Sequence, residues 1–253
     1  MHLLTTPAAS ASCGYSIWRR TFESGHVEVS AMWQDEFRKI SHGKRKKAER
    51  GKSANRDASI LVSSRRAKRR IRHAAHQIVA DHMLTLTYRA NQTDIKQAWK
   101  DFRKFSAMMR KKYGNQWAYV IVPEYQERGA VHFHLALHGF WPVTVLRHYW
   151  RKVIGEGNVD MKYFKTGARV STGKMASYLA KYVGKAIGNG QLNAKSYNVS
   201  QGIKSPPAEY AFLPYGVPVL KVMRQLIESI TPDRIRQVWW GHNQVAPVFF
   251  MST

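Results

Sequence analysis

Between residues 80 and 190 the spacing of apolar positions changes several times, and each change marks an element. Met83-Leu84-Thr85-Leu86-Thr87-Tyr88 is rich in strand-formers. Ile95, Trp99, Phe102 and Met109 then recur at helical spacing, with Lys and Arg on the other positions, and Gly114-Asn115 closes that helix. Residues 117–126 read as a second strand, Glu127-Arg128-Gly129 as a turn and residues 130–138 as a third strand, which gives a hairpin. Residues 145–153 read as a helix with Thr144 as its N-cap. Val159, Met161 and Tyr163 alternate as in a fourth strand, and Ser171-Thr172-Gly173 leads into a helix over 174–187 that ends at Gly188-Asn189-Gly190. The order β-α-β-β-α-β plus a helix is the split βαβ, ferredoxin-like arrangement. Short antiparallel strands with helices on one face of a central sheet place the chain in the α+β class.

The flanks are less regular. Residues 1–40 mix small polar residues with isolated aromatics (Tyr15, Trp18, Phe22, Trp33, Phe37) and yield no assignable element. Residues 41–72 are a charge run, expected to belong to a partly helical basic arm over 41–78, with a flexible link at Gly51–Arg56. Residues 79–205 hold the regular pattern. Residues 206–253 show one helix over 217–230, then Pro232 and an aromatic tail with Trp239-Trp240 and Phe249-Phe250, expected to pack on the regular domain.

Charge narrows the partner. Lys and Arg number 41 against 16 Asp and Glu, a formal net charge of +25 on 253 residues. That excess is the electrostatic footprint of a nucleic-acid binder. The candidate backbone contacts are Lys44, Arg45, Lys46, Lys47, Arg65, Arg66, Arg69 and Arg70, joined by Lys174 and Lys185 on the last helix of the regular segment. A membrane-surface role is disfavoured because no amphipathic helix pairs one apolar face with one basic face. No apolar stretch is long enough to span a bilayer. Met1–Cys13 lacks the charged start and long apolar run of a secretion signal. The single Cys13 excludes an internal disulfide and a Cys-rich zinc site, and a reducing cytoplasm is the expected location. No GxxxxGK[ST] loop occurs, so no helicase or ATPase is expected within the chain.

Two short segments carry the candidate chemistry. In Val131-His132-Phe133-His134-Leu135 a strand turns both histidines to one side and Phe133 to the other. Two imidazoles on one sheet face are a ready pair of metal ligands. Glu124, on the outgoing strand of the hairpin, is the best candidate for a third ligand. Such a set would accept Mg²⁺ or Mn²⁺ holding substrate oxygens, although imidazoles also suit Zn²⁺. His138, two steps on along the same face, either extends the site or caps the strand. In Tyr178-Leu179-Ala180-Lys181-Tyr182 the helical spacing stacks two phenols one turn apart. Lys181 is placed to lower a phenol's pKa or to hold phosphate.

Thr85-Leu86-Thr87-Tyr88, then Glu124 through His132-Phe133-His134, then Tyr178-Leu179-Ala180-Lys181-Tyr182 resemble the three motifs of the HUH replication-initiator endonucleases. These are the rolling-circle Rep proteins of plasmids and single-stranded DNA phages. The paired tyrosines look like the two-tyrosine branch of phage initiators. The histidine motif precedes the tyrosines here, the Rep order rather than that of relaxases. The resemblance implies that His132, His134 and Glu124 hold a divalent metal and that Tyr178 and Tyr182 are nucleophiles. It implies a site-specific nicking and joining endonuclease that starts rolling-circle replication on single-stranded origin DNA through a 5′-phosphotyrosine. A helicase and polymerase of a bacterial host would be its partners. The alternatives are an HUH transposase or relaxase, and a non-enzymatic basic nucleic-acid-binding protein in which the histidines and tyrosines only pack.

Overall fold

The alternation of apolar residues resolves into two antiparallel five-stranded sheets, one in each of two units. The computed structural model describes residues 13–34, 55–166, 169–170, 172–188, 196–232, 235, 237–243 and 246–253. One unit is Ala48–Ser205; the other combines Met1–Lys47 with Pro206–Thr253.

Gly14–Thr21 (β1) and Val27–Gln34 (β2) form a hairpin where the sequence pattern suggests no element. Arg56–Gln77 (α1) starts at Asn55, whose side chain accepts from the Ala58 amide at 3.0 Å. His82–Tyr88 (β3), Ile95–Tyr113 (α2), Tyr119–Tyr125 (β4), Val131–Leu137 (β5), Val143–Ile154 (α3) and Gly157–Tyr163 (β6) follow in the expected β-α-β-β-α-β order. Asp94 caps α2, accepting from the amides of Lys96 and Gln97, and Gly114 closes it with φ 59°. The hairpin turn after β4 uses Gly129 at φ 81°, a conformation in which a Cβ would be strained. Helix α3 begins one residue before Thr144. Pro142 holds its N-cap position and no side chain caps it, which corrects the reading of Thr144 as the cap. Proline suits a helix start because its fixed φ is already helical and the first amides lack intrahelical partners.

The sheet order in this unit is β6-β3-β5-β4, extended by the short Asn198–Val199 (β9). In order of appearance the four main strands therefore lie 4-1-3-2, all antiparallel. Lys165–Thr166 (β7) and Arg169–Val170 (β8) pair with each other. Thr172–Gly188 (α4) completes the unit.

The expectation of helices on one face needs correction. Helices α2 and α3 cover the face made by Leu84, Leu86, Ile121, Phe133 and Leu135. Helices α1 and α4 cover the other, against Val120, Val122 and Ala136. The extra helices lie outside the β-α-β-β-α-β frame. The stripe Ala67, Ile71, Ala74 and Ala75 is buried although it lies in the expected basic arm. Phe133 sits at the centre of the first face, 5.0 Å from the Trp99 ring and 5.6 Å from Phe102. Phe133→Ala is expected to lower unfolding free energy by about 3–5 kcal/mol, as removal of a fully buried ring does; denaturant titration measures it.

In the other unit Glu209–Pro214 (β10), Gln237–Asn243 (β11) and Ala246–Ser252 (β12) join β1 and β2 in the order β10-β1-β2-β12-β11. Val219–Glu228 (α5), shorter than the 217–230 read from sequence, packs Met223, Leu226 and Ile227 against Ile17, Val29 and Met251. The two chain ends thus share one sheet.

Candidate functional site

On β5, Phe133 and Leu135 enter one core while His132, His134 and Ala136 face the side covered by α1 and α4. Register then selects the neighbours of the histidines. Glu124 lies opposite His132, Val122 opposite His134, and on β3 Thr87 and Thr85 lie opposite the same two residues. Helix α4 crosses this face. Its core stripe Met175, Leu179, Tyr182 and Val183 is buried, and Tyr178 is half-buried beside it.

The predicted residues do meet. The Tyr182 ring stacks on His134, with centroids 4.6 Å apart and planes 16° from parallel. Tyr178 stands edge-on to both, 6.4 Å from His134 and 5.1 Å from Tyr182. The Tyr182 hydroxyl donates a short hydrogen bond to the Tyr178 hydroxyl oxygen. His134 is buried and bonded at both nitrogens: Nε2 lies 2.7 Å from Glu124 Oε2, and Nδ1 lies 3.1 Å from Thr85 Oγ1. A carboxylate only accepts, so in the neutral imidazole Nε2 carries the proton and Nδ1 accepts from the threonine hydroxyl.

His132 differs. Its Nε2 is buried and, among the described residues, has no hydrogen-bond partner. Its pKa is lowered from the ordinary histidine value, first by burial, then by repulsion between the two imidazoles when both would be protonated, with Glu124 opposing and Arg128 adding to the effect. The result is a neutral ring with a lone pair, the form that ligates metals. Tyr182 shifts the other way: burial, its bond to Tyr178 and the nearby Glu124 raise its pKa, so it remains a neutral donor.

The three expected metal ligands do not converge as a ligand set. Among the described residues no group of three His, Cys, Asp or Glu side chains is so placed, because the Glu124 carboxylate closes on His134. The donor chemistry nevertheless fits a divalent ion: two imidazoles and a carboxylate share one face, and the buried Nε2 of His132 lacks a partner.

Other expected residues are placed differently. Lys174 and Lys181 are exposed on α4, one turn to either side of Tyr178. Arg65, Arg66 and Arg69 are exposed on α1, whereas Arg70 turns inward, donating to the Ile203 carbonyl at 2.6 Å and to Ser205 at 3.4 Å. Lys44–Lys47 and the Gly51–Ala54 part of the expected link lie outside the described residues, and Lys185 is described in its backbone alone. His138 does not extend the site: at the far end of β5 its Nδ1 lies 2.9 Å from the Val79 carbonyl. Two features were missed. Thr85 holds His134 from the neighbouring strand, a partnership that register alone reveals. Thr87, opposite His132, also lines a cavity of about 420 Å³ with Arg89, Arg151, Glu156 and Asn158.

Residues 81–187 match the family of the Replication-associated protein ORF2. That span runs from the residue before β3 into the last turn of α4, so the histidine strand, Glu124 and both tyrosines fall within it. It covers less than half of the chain. No curated protein and no solved structure matches. The replication-associated match agrees with a replication initiator acting on DNA, and the charge of +25 suits that partner. Among the described residues no helix is long and apolar enough to cross a membrane.

Proposed function

We propose that this chain is a two-tyrosine nicking and joining endonuclease that starts rolling-circle replication on single-stranded DNA. The observation that carries the reading is the meeting of Tyr178 and Tyr182 with His134 and Glu124 on one sheet face, within the replication-associated span. Packing alone does not require two phenols to share a hydrogen bond beside a buried histidine–carboxylate pair.

Tyr178 is the first nucleophile. Its oxygen accepts from Tyr182, and a donated hydrogen bond stabilises the phenolate that attack requires. Tyr178 Oη forms a bond to phosphorus, the bond from phosphorus to the 3′ oxygen breaks, and the 5′ end remains on tyrosine. The phenolic proton passes to solvent and the departing 3′ oxygen takes one up, leaving a 3′-OH that primes synthesis. The phosphodiester bond energy is conserved in the phosphotyrosine, so rejoining needs no ATP. Tyr182, one turn away, makes a second cut while the first strand is still attached.

His132, His134 and Glu124 would hold Mg²⁺ or Mn²⁺, which makes a phosphate more electrophilic and neutralises developing charge. Thr85 serves His134 in either state: its hydroxyl donates to Nδ1 now and accepts from Nδ1–H when Nε2 ligates. Thr85→Val keeps the shape and removes this partner. It is expected to weaken Mn²⁺ affinity about 10- to 100-fold, as losses of ligand-orienting partners do; calorimetric titration measures it. Exposed Arg65, Arg66 and Arg69 of α1 and Lys174 and Lys181 of α4, the two helices on this sheet face, suit the backbone of the strand being cut. The test is covalent capture: incubation with single-stranded origin DNA should yield a protein–DNA band on a denaturing gel, lost in EDTA. A band that survives EDTA would remove the metal, and no band on any origin fragment would leave only a DNA-binding protein.

A further inference from the structure

Helix α2 lies on the opposite side of the sheet from the tyrosines, and its outer face is a stripe of unpaired positive charge. Lys96, Lys100, Arg103, Lys104, Arg110 and Lys111 are all exposed, spaced so that they fall on one side of the helix. The one acidic residue in the helix, Asp101, is buried, where it accepts from the Tyr88 hydroxyl at 3.1 Å and from Gln97 at 2.8 Å. Among the described residues none of the six basic side chains forms an ion pair; Arg110 alone has a polar partner, Gln201 at 3.4 Å. Like charges at positions such as Lys96/Lys100 and Lys100/Lys104 weaken a helix, and no ion pair among the described residues offsets them.

We infer that this face of α2 binds the phosphate backbone of double-stranded DNA, as a second DNA surface separate from the tyrosine site. The helix is rigid and about 28 Å long, the rise of some eight base pairs. Its aromatic residues Trp99, Phe102 and Phe105 are buried, and half-buried Tyr113 at its last position packs edge-on to Trp141 off this stripe, so the stripe itself offers cations and no stacking platform. Single strands are held by stacking as well as charge; a duplex, whose bases are already stacked, needs charge alone. The tyrosine face lies across the sheet, so the strand being cut and this duplex segment occupy different surfaces. The inference depends on DNA being the partner but not on tyrosine chemistry.

The test uses the full chain with Lys100→Gln/Arg103→Gln/Lys104→Gln. Two probes are titrated by fluorescence anisotropy over a range of salt: a blunt duplex of unrelated sequence, and a short single-stranded oligonucleotide that spans only the cleavage site. Duplex affinity is expected to fall at least about tenfold, and the slope of log affinity against log salt to drop by about 2–3, one per lost phosphate contact. Oligonucleotide affinity and covalent adduct yield are expected to stay within about twofold. Lys100→Glu, which sets an acid three or four residues from Lys96, Arg103 and Lys104, should weaken duplex binding with no loss of melting temperature. Unchanged duplex affinity and salt slope would overturn the inference. So would an equal loss on both probes, which would assign α2 to the strand being cut. The duplex titration reads out even if no adduct ever forms, so failure of the nuclease reading and failure of this one are distinguishable.

Discussion

Replacing both tyrosines by phenylalanine is expected to abolish covalent capture of DNA, by at least about a thousandfold, with DNA affinity unchanged. Phenylalanine keeps the ring that stacks on His134 and removes only the oxygen. The single variants should differ from one another. Tyr182→Phe removes the donor to Tyr178, and a hydrogen bond to a developing charge contributes about 1.5–3 kcal/mol. The first cut should therefore slow about ten- to a hundredfold. Tyr178→Phe should slow it more, because the remaining phenol is buried and its pKa is raised. If Tyr178→Phe cuts and rejoins as wild type does, Tyr178 is not the first nucleophile. Quench-flow assays of adduct formation give all three rates.

His132→Ala is expected to abolish cleavage with little change in stability. Among the described residues its buried Nε2 has no hydrogen-bond partner, so truncation breaks no bond at that atom. His134→Ala is a poorer probe, because it strips partners from Glu124 and Thr85 and the stacked ring from Tyr182. A melting experiment separates ligation from packing without using activity. Mn²⁺ should raise the melting temperature of the wild type and leave His132→Ala unmoved, since a ligand that binds only the folded state stabilises it. An equal Mn²⁺ shift in both proteins would show that His132 ligates nothing.

The regular segment was legible because its signals are local. The alternation through Leu84 and Leu86, the Gly129 turn and the 3.6-residue period of Trp99, Phe102 and Met109 each act within a few residues. The same alternation placed both histidines on one face, and register brought Glu124 beside them. The parts that were not legible depend on distant partners. β1 and β2 find their partners far along the chain, β2 pairing with β12 more than two hundred residues away. Helix α1 was expected only as part of a basic arm, and its packing against the sheet was hidden because its buried stripe is mostly alanine set among arginines. The closing of Glu124 on His134, and the donor role of Thr85, are side-chain geometry that no spacing encodes. Lys181, one helical turn from Tyr178 in sequence, is exposed on α4.

The central claim is that a tyrosine of α4 becomes covalently joined to DNA. Mass spectrometry of peptides from a nuclease-trimmed adduct, formed on single-stranded origin DNA with Mn²⁺, tests it most directly. The account predicts a nucleotide on Tyr178 in wild type and on Tyr182 in the Tyr178→Phe variant. A nucleotide on any residue other than these two would contradict it.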